Sequence, residues 1–260
     1  KEASKWRYGH TVDLEGYGTA ALFNDPLIVI DPTDMNRNVG AALRLDKMAE
    51  FIQSARNYLA SNNKKEYFYP VANKFAKDEI LEEFQKRGSD VIAVKFNIPD
   101  IPLDTLHPQL RKTTESLAEK LNDEDFSVYQ SDYWSDEENT AVLLFEMDVS
   151  RLNNTKIHYG PKVFVKRGSQ NFIDKHGIEN CYILDDFVVS KIPREFVTAS
   201  DFINHVLSYE NISLIKVGKN LLDNIITSYE LLSLDDLDLS NKSFVTFLDD
   251  FLNPNKYLFR

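Results

Sequence analysis

The sequence predicts an α+β protein whose larger part is a ferredoxin-like α/β sandwich with a basic insertion. From residue 91 onward, apolar runs and helical spacing follow the order strand, helix, strand, strand, and then a later strand and helices. A helical pattern at 45–60 precedes this series, and a cluster of Lys and Arg at 151–175 interrupts it. At 260 residues, 43% of them hydrophobic, the chain is long enough for one large domain and part of another.

A short buried strand is predicted near the start of the chain. Leu27–Ile30 is a four-residue apolar run with Pro26 before it and Asp31-Pro32 after it. Proline excludes helix on either side, so the run is extended. The first 21 residues contain scattered glycines and aromatics, and we expect irregular or hairpin structure there.

One amphipathic helix is predicted after this strand. Its apolar residues recur at helical spacing through 45–60, and the Ser-Asn-Asn-Lys-Lys run at 61–65 ends it. We take that run as a domain boundary, which gives domains 1–62 and 63–260.

The second domain is predicted to alternate between helices and strands, with helix starts at Asp78, Pro108 and Ser200. The predicted helices are 78–86, 108–121, 200–209, 214–232 and 243–252, and the predicted strands are 91–96, 126–133, 141–149 and 182–192. The strand at 126–133 is suited to a sheet edge and forms a hairpin with the next one. Phe172 and Ile173 suggest a short helix near the end of the basic cluster.

Positive charge is concentrated in one part of an acidic chain. The formal net charge is −11, which argues against a generally basic nucleic-acid binder. Residues 151–175, here called the basic segment, nevertheless hold six basic residues against a single acidic one. The segment is either a face for an anionic partner or a solvated loop.

Composition predicts an intracellular, cytoplasmic protein without a structural metal. A single cysteine, Cys181, excludes an internal disulfide, and the five histidines show no metal-ligand spacing. No apolar run is long enough to cross a membrane.

The polar residues after the first predicted strand allow two interpretations. Asp31 and Asp34 can cap turns, with Arg37 paired to one of them. Alternatively, the segment presents Arg37 to an anion, because guanidinium geometry suits phosphate. The spacing alone does not decide between them.

The same segment resembles a known family. The pattern Asp-Pro-x-Asp-x-x-Arg-Asn-Val-x-Ala-Ala at 31–42, between a short strand and a helix, is similar to that of the archaeal CCA-adding enzymes, the class I tRNA nucleotidyltransferases. Residues 91–112 resemble a strand and helix of that family, and 144–146, 159–161 and 218–220 resemble further landmarks.

The resemblance implies an enzyme that adds CCA to the 3′ end of tRNA from CTP and ATP without a nucleic-acid template. Family members carry a catalytic head with a Gly-Ser motif and Mg-binding carboxylates. Gly168-Ser169 is followed by no suitable Asp-x-Asp pair. We therefore expect the end of the helical neck (substrate-binding) domain followed by body and tail, with the tail insertion at about 151–178. We expect Mg to be bound by the head and this chain to be inactive by itself.

The resemblance also implies site residues and a partner. Arg37 would help to fix the incoming nucleotide, supported by Asp31, Asp34 and Asn38. Basic residues would contact the backbone of the tRNA acceptor stem and T arm, and the candidates are Arg111, Lys112, Arg151, Lys156, Lys162, Lys166, Arg167 and Lys175. Monomer and homodimer are both open.

Two other classes of protein fit the sequence less well. One is a non-catalytic, ferredoxin-like RNA-binding module, but the strand Val91–Phe96 lacks the interleaved aromatic residues on which such modules stack bases. The other is an acidic protein-interaction domain whose basic segment binds an acidic partner.

Overall fold

The structure, a computed structural model, describes residues 2–258 and is of mixed α+β type, as predicted. It divides into two compact units. The first unit comprises the chain up to Lys74 and the segment from Asp249 onward, and the second unit is Phe75–Leu248. Among residues 2–258, no helix has the length and apolar character needed to span a bilayer.

The elements, numbered along the chain, include seven α-helices within the described residues. They are α1 Leu45–Ala60, α2 Lys77–Arg87, α3 Leu103–Asp123, α4 Lys166–His176, α5 Ala199–Val206, α6 Leu222–Ser228 and α7 Lys242–Leu252. The strands are β1 His10–Val12, β2 Leu27–Asp31, β3 Asp34–Asn38, β4 Asp90–Asn97, β5 Ser127–Ser135, β6 Thr140–Val149, β7 Thr155–Lys162, β8 Cys181–Leu184, β9 Phe187–Pro193 and β10 Glu230–Ser233.

The first unit contains a three-stranded sheet in the order β1-β2-β3. The predicted strand is confirmed as β2, whose Leu27, Ile28 and Ile30 are buried. The segment after it, expected as a strand-to-helix connection, forms β3 antiparallel to β2. The first residues supply β1, which pairs parallel to β2 and so is not part of a hairpin. The predicted helix is confirmed as α1.

The second unit is built on a four-stranded antiparallel sheet, the large sheet, in the order β10-β4-β6-β5. Its strands and helices follow the chain as β4, α3, β5, β6, then α5, α6 and β10. The core lies on one face of the sheet, where alternate β4 and β6 residues such as Val94 and Phe145 pack with Leu110 of α3 and Ile203 of α5. The predicted hairpin is confirmed, with β5 at the sheet edge.

A second, small sheet is inserted between β6 and α5, in the order β7-β9-β8. The sequence predicted neither β7 nor the full length of α4. It also predicted one strand at 182–192, where the structure has two strands joined by a turn at Asp185-Asp186. Asp185 has φ +53°, a left-handed conformation that Asp tolerates in tight turns.

The predicted helix at 214–232 is wrong as one continuous helix, and only Leu222–Ser228 within it is α-helical. The structure has a short 3-10 turn, then α6, then β10. The interruption lies at Gly218-Lys219-Asn220, whose backbone bonds to α3 instead of continuing a helix. The N–H of Gly218 donates to Thr113 Oγ1 at 3.0 Å, and that of Asn220 donates to Gln109 Oε1 at 2.9 Å.

Three predicted helix starts are also corrected. Helix α3 begins at Leu103, so Pro108 lies inside it rather than at its start. The N-cap of α2 is Ala76, two residues before Asp78. Thr198, not Ser200, caps α5 by accepting a hydrogen bond from the N–H of Asp201 at 3.1 Å. The closing helix, α7, is confirmed.

Candidate functional site

Asn38 holds the two strands of the β2–β3 hairpin together. Its side chain is buried, and Oδ1 accepts hydrogen bonds from the N–H of Val29 at 2.7 Å and of Gly40 at 2.8 Å. Its Nδ2 donates to Asp25 Oδ2 at 2.8 Å and to the Leu27 carbonyl at 3.1 Å. All the hydrogen-bonding capacity of the amide is therefore directed into the base of the hairpin.

Gly40 allows this arrangement because the chain passes very close to β2. A Cβ atom at Gly40 would lie 2.7 Å from the Leu27 carbonyl oxygen and 3.1 Å from Asn38 Oδ1. Any larger residue would push the backbone apart at the Asn38 hydrogen bonds. The group that approaches Gly40 most closely is therefore the backbone of β2.

The two aspartates shape the turn of the hairpin. Asp31 Oδ1 accepts from the N–H and hydroxyl of Thr33, at 2.9 and 2.8 Å, and Asp34 Oδ1 accepts from the N–H of Asn36 at 3.0 Å. The Thr33 hydrogen bonds, with Arg37 nearby, hold the pKa of Asp31 below its usual value. Asp31 is therefore an anion at neutral pH.

Arg37 lies on β3 with its charge directed outward. Its Nη1 is 3.5 Å from Asp31 Oδ2, and its side chain is 68% exposed while that of Asp31 is 13% exposed. One contact at this distance orients the guanidinium without occupying its other N–H groups. The arrangement can present a cation to an anionic ligand.

A neighbouring loop braces the hairpin from the side. The Tyr17 hydroxyl donates to the Pro32 carbonyl at 2.7 Å, and the Thr19 hydroxyl donates to the Met35 carbonyl at 2.6 Å. Asp13 closes this loop by accepting from backbone N–H groups at 16–18, and these bonds, that of Gly18 foremost, lower its pKa. This bracing could not be predicted from the sequence, because it depends on contacts between residues that are distant along the chain.

The basic segment forms a β-α unit, not a loop. Arg151 pairs with Thr198 in an isolated bridge before β7. The remaining basic residues divide between β7, which holds Lys156 and Lys162, and α4, which holds Lys166, Arg167 and Lys175. All of these except Lys156 are exposed. Lys162 pairs with Asp186 at 2.7 Å.

Helix α4 is fixed to one face of the small sheet by an aromatic cluster. The Phe172 ring stacks on that of His158 of β7, with ring centroids 5.5 Å apart, and its centroid lies 4.5 Å from that of the His176 ring. Gly160 makes room, since a Cβ there would lie 2.6 Å from the Phe172 ring. Burial and the neighbouring His158 and Lys175 lower the pKa of His176, whose Nε2 has no hydrogen-bond partner among the described residues. His176 is thus a neutral packing residue at pH 7.

Arg111 and Lys112 lie apart from the basic segment, on the large-sheet helix α3. They were expected near a helix start, but α3 begins at Leu103, so they lie more than two turns inside it. Lys112 is exposed and Arg111 is half-buried. The structure does not join them to the small sheet through a hydrogen bond or ion pair between described residues.

Three residues on the other face of the small sheet, Tyr182, Phe187 and Lys191, were not singled out from the sequence. The alternation along β8 and β9 places them on the same face as Tyr159. The available signal was the two-residue periodicity on either side of Asp185-Asp186, which is visible only once that pair is recognised as a turn.

No metal site is built into the described residues. Among residues 2–258, no group of three or more His, Cys, Asp or Glu side chains is arranged to hold a metal ion. The hairpin carboxylates Asp31 and Asp34 accept hydrogen bonds from backbone and hydroxyl donors, which is consistent with a structural role in the turn.

Comparison with known proteins gives the same family from both parts of the chain. A family model described as "CCA-adding enzyme, C-terminal domain" matches residues 87–234, more than half of the chain. A second, described as "tRNA nucleotidyltransferase, second domain", matches residues 1–69.

Individual relatives carry the same name. A CCA-adding enzyme of Methanothermobacter thermautotrophicus is 40% identical over 259 residues, which are 99% of this chain and 56% of the relative. One from Methanosarcina barkeri is 34% identical over 235 residues, 88% of this chain and 50% of the relative. The chain thus spans about half the length of the curated relatives it matches. With these matches and the motif at 31–42, the chain belongs to the archaeal CCA-adding enzyme family.

Proposed function

We propose that this chain is the tRNA-binding portion of a CCA-adding tRNA nucleotidyltransferase. The intact protein would add CCA to the 3′ end of tRNA from CTP and ATP without a nucleic-acid template. The observation that carries the proposal is the exposed, oriented guanidinium of Arg37 in a chain whose relatives are CCA-adding enzymes.

We assign residues 1–62 to the end of the neck domain and 63–260 to body and tail. Support for a ferredoxin-like body comes from the large sheet, whose strands follow the chain as β4, β5, β6, β10 and lie in the order β10-β4-β6-β5. The ferredoxin-like (split βαβ) fold has this spatial order, in which the first and third strands of the chain lie in the centre of the sheet. The small sheet and α4 would then be the tail insertion, expected at about 151–178.

Arg37 would act on the incoming nucleotide. Nucleotidyl transfer requires that the triphosphate be positioned and its charge neutralised, and guanidinium groups do both. Asp31 holds the Arg37 side chain from one side, and Asn38 fixes the strand that carries it. The hairpin would therefore supply a preformed cation that loses little conformational entropy when the nucleotide binds.

The basic residues of the small sheet would contact RNA phosphates along the acceptor stem and T arm. Lys166 and Arg167 lie in the first turn of α4, where the helix dipole disfavours cations. A bound phosphate removes that conflict, because it is attracted by both side chains and by the free N–H groups of the helix terminus. Arg111 and Lys112 would add contacts from α3.

We further propose that the chain does not transfer nucleotides by itself and that Mg is bound by the catalytic head. Across the described residues, no cluster of three or more His, Cys, Asp or Glu side chains is arranged to hold a metal ion. In this proposal the residues of this chain bind the nucleotide and the RNA, and they do not hold the catalytic metal ion.

Filter binding tests the proposal with this chain alone. A tRNA acceptor minihelix and an unstructured RNA of equal length are compared across a salt series. We expect selective binding of the minihelix, with log K falling linearly as log salt rises, because phosphate contacts release counterions. Stronger binding of the unstructured RNA would favour a single-strand-binding module, and no RNA binding at low salt would favour the acidic protein-interaction domain.

A further inference from the structure

We propose that the open face of the small sheet stacks an unpaired nucleotide of the bound RNA on Tyr159, with Lys162 and Lys191 beside its phosphates. This inference rests on the proposed function, since it assumes that the RNA is bound by the small sheet and α4. It adds a base contact to an interface otherwise built from contacts to the phosphate backbone.

The strand register places these residues on one face. Tyr159 of β7 is opposite Val189 of β9, and Tyr182 of β8 is opposite the same Val189 from the other side. Cross-strand partners point to the same face, and so do residues two apart on one strand. Phe187 and Lys191, each two residues from Val189, therefore belong to this face as well.

The side-chain contacts agree with the register. The Tyr159 and Phe187 rings meet edge to face with centroids 5.9 Å apart. Lys162 Nζ lies 5.3 Å from the centre of the Phe187 ring, and Lys191 Nζ lies 5.8 Å from that of Tyr182. The face is thus a row of aromatic rings with lysine ammonium groups among them.

Tyr159 and Ile157, on the β7 edge of this face, are open to solvent because α4 packs on the opposite face, whereas Val189 on the central strand is buried. The residues that contact α4, His158 and Gly160, alternate along β7 with Ile157 and Tyr159, which point to the other face. On the open side, the exposed fraction is 56% for Tyr159 and 46% for Ile157. A tyrosine held by strand pairing and a neighbouring ring, yet more than half exposed, offers a rigid flat surface at little entropic cost.

The chemistry of the face selects an unpaired nucleotide as the occupant. A base has a π-face for Tyr159 and carries a phosphate for the lysines, and aromatic rings among cations are the usual platform for unstacked bases. Paired bases within a duplex do not expose their faces to a sheet. Lys162 is paired with Asp186 at 2.7 Å, whereas Lys191 makes no ion pair with any described residue within 4.0 Å, so the charge of Lys191 is the one available to a phosphate.

The test uses this chain with two RNAs of the same stem sequence, one closed by an unpaired loop and one a blunt duplex. We compare the wild type with Tyr159→Ala, with Tyr159→Phe, which keeps the ring, and with Tyr209→Ala. Tyr209 is 81% exposed in the second unit and serves as the matched control. A fluorescent base analogue in the loop reports stacking directly.

We expect Tyr159→Ala to weaken binding of the looped RNA by about 5- to 150-fold, the range for one lost base–aromatic stack, and to leave the blunt duplex nearly unaffected. Tyr159→Phe and Tyr209→Ala should bind both RNAs as the wild type does. Stacking on Tyr159 should quench the fluorescence of the loop analogue in the wild type and in these two variants, and only Tyr159→Ala should relieve the quenching.

Two results would overturn the inference while leaving the proposed function intact: unchanged binding of the looped RNA by Tyr159→Ala, or an equal loss on both RNAs. A wild-type sedimentation dimer that Tyr159→Ala converts to monomer, with RNA binding unchanged, would show that a second copy covers the face. Failure of the wild type to bind either RNA would remove the proposed function and the inference together.

Discussion

Asn38 shows how one residue sets the geometry of the candidate nucleotide-binding hairpin. Resemblance to the family named it as a support for Arg37, but the spacing of residues along the chain gives no physical reason for that role. The structure supplies the reason, because four hydrogen bonds from one buried amide join β3 to β2 and to the chain on either side. A sequence pattern cannot show such bonds, since they depend on where the side chain points.

We predict that Asn38→Ala lowers the free energy of unfolding of the first unit by about 2 to 4 kcal/mol, because buried backbone partners lose their hydrogen bonds. Asn36→Ala is the matched control. Its side chain is exposed on the same strand, and we expect a change within about 0.5 kcal/mol. Urea unfolding followed by fluorescence measures both. Equal effects of the two substitutions would contradict the role assigned to Asn38.

At the scale of elements, the predictions succeeded where a segment carries its own periodicity. Helix α1 and strands β4 and β6 have long, regular patterns and were predicted closely. The prediction failed at 214–232, where an apolar helical pattern is overridden by backbone hydrogen bonds to Thr113 and Gln109 of α3. It also missed β7, because a strand in a small, half-covered sheet carries too few buried residues to show alternation.

A buried ion cluster ties the segment after α7 back to the first unit. Lys256 Nζ donates to Asp249 Oδ2 and Asp250 Oδ1, both at 2.7 Å, and to Asn73 Oδ1 at 3.1 Å. The Lys256 side chain is 4% exposed and that of Asp249 is fully buried. Burial alone would lower the pKa of Lys256, but the hydrogen bonds to Asp249 and Asp250 raise it above its ordinary value.

We predict that Lys256→Met costs about 3 kcal/mol of unfolding free energy at pH 8, because it leaves Asp249 buried without its cation. Because the pKa of Lys256 is higher in the folded protein than in the unfolded chain, where it is about 10.4, the protonated lysine stabilises the fold. This contribution is complete below about pH 10.4 and is lost as the pH rises through the folded-state pKa. The difference between wild type and variant should therefore shrink above about pH 10.4. The exposed Lys47, paired with Glu50, is the control, and Lys47→Met should change stability by less than about 0.5 kcal/mol. A pH-independent difference from pH 8 to 11 would contradict the account.

At the scale of the whole molecule, the charge distribution and the family together predict an RNA-binding surface better than either one does alone. The net charge of −11 argued against a generally basic nucleic-acid binder, while the family resemblance implied tRNA as partner. The proposed function accommodates both, since most of the basic residues of segment 151–175 are exposed on one β-α unit. Which of these residues face one another could not be predicted, because β7 and the turn at Asp185-Asp186 were not recognised in the sequence.

The central claim is that this chain supplies the nucleotide-contacting arginine and the tRNA-binding surface of a CCA-adding enzyme. It is tested most directly in a chimera in which this chain replaces the matching part of the Methanothermobacter relative. The measurement is the single-turnover rate of CMP and AMP addition to a tRNA that lacks its terminal CCA, together with the Kd for that tRNA.

We predict that the chimera adds CCA and that Arg37→Ala slows addition by about 10- to 100-fold, the loss of one or two charge-assisted hydrogen bonds, with the Kd for tRNA nearly unchanged. Arg44→Ala, at an exposed arginine paired with Asp46 in the same unit, should leave the rate unchanged. An unaltered rate in Arg37→Ala, or a loss of tRNA affinity equal to the loss of rate, would contradict the account.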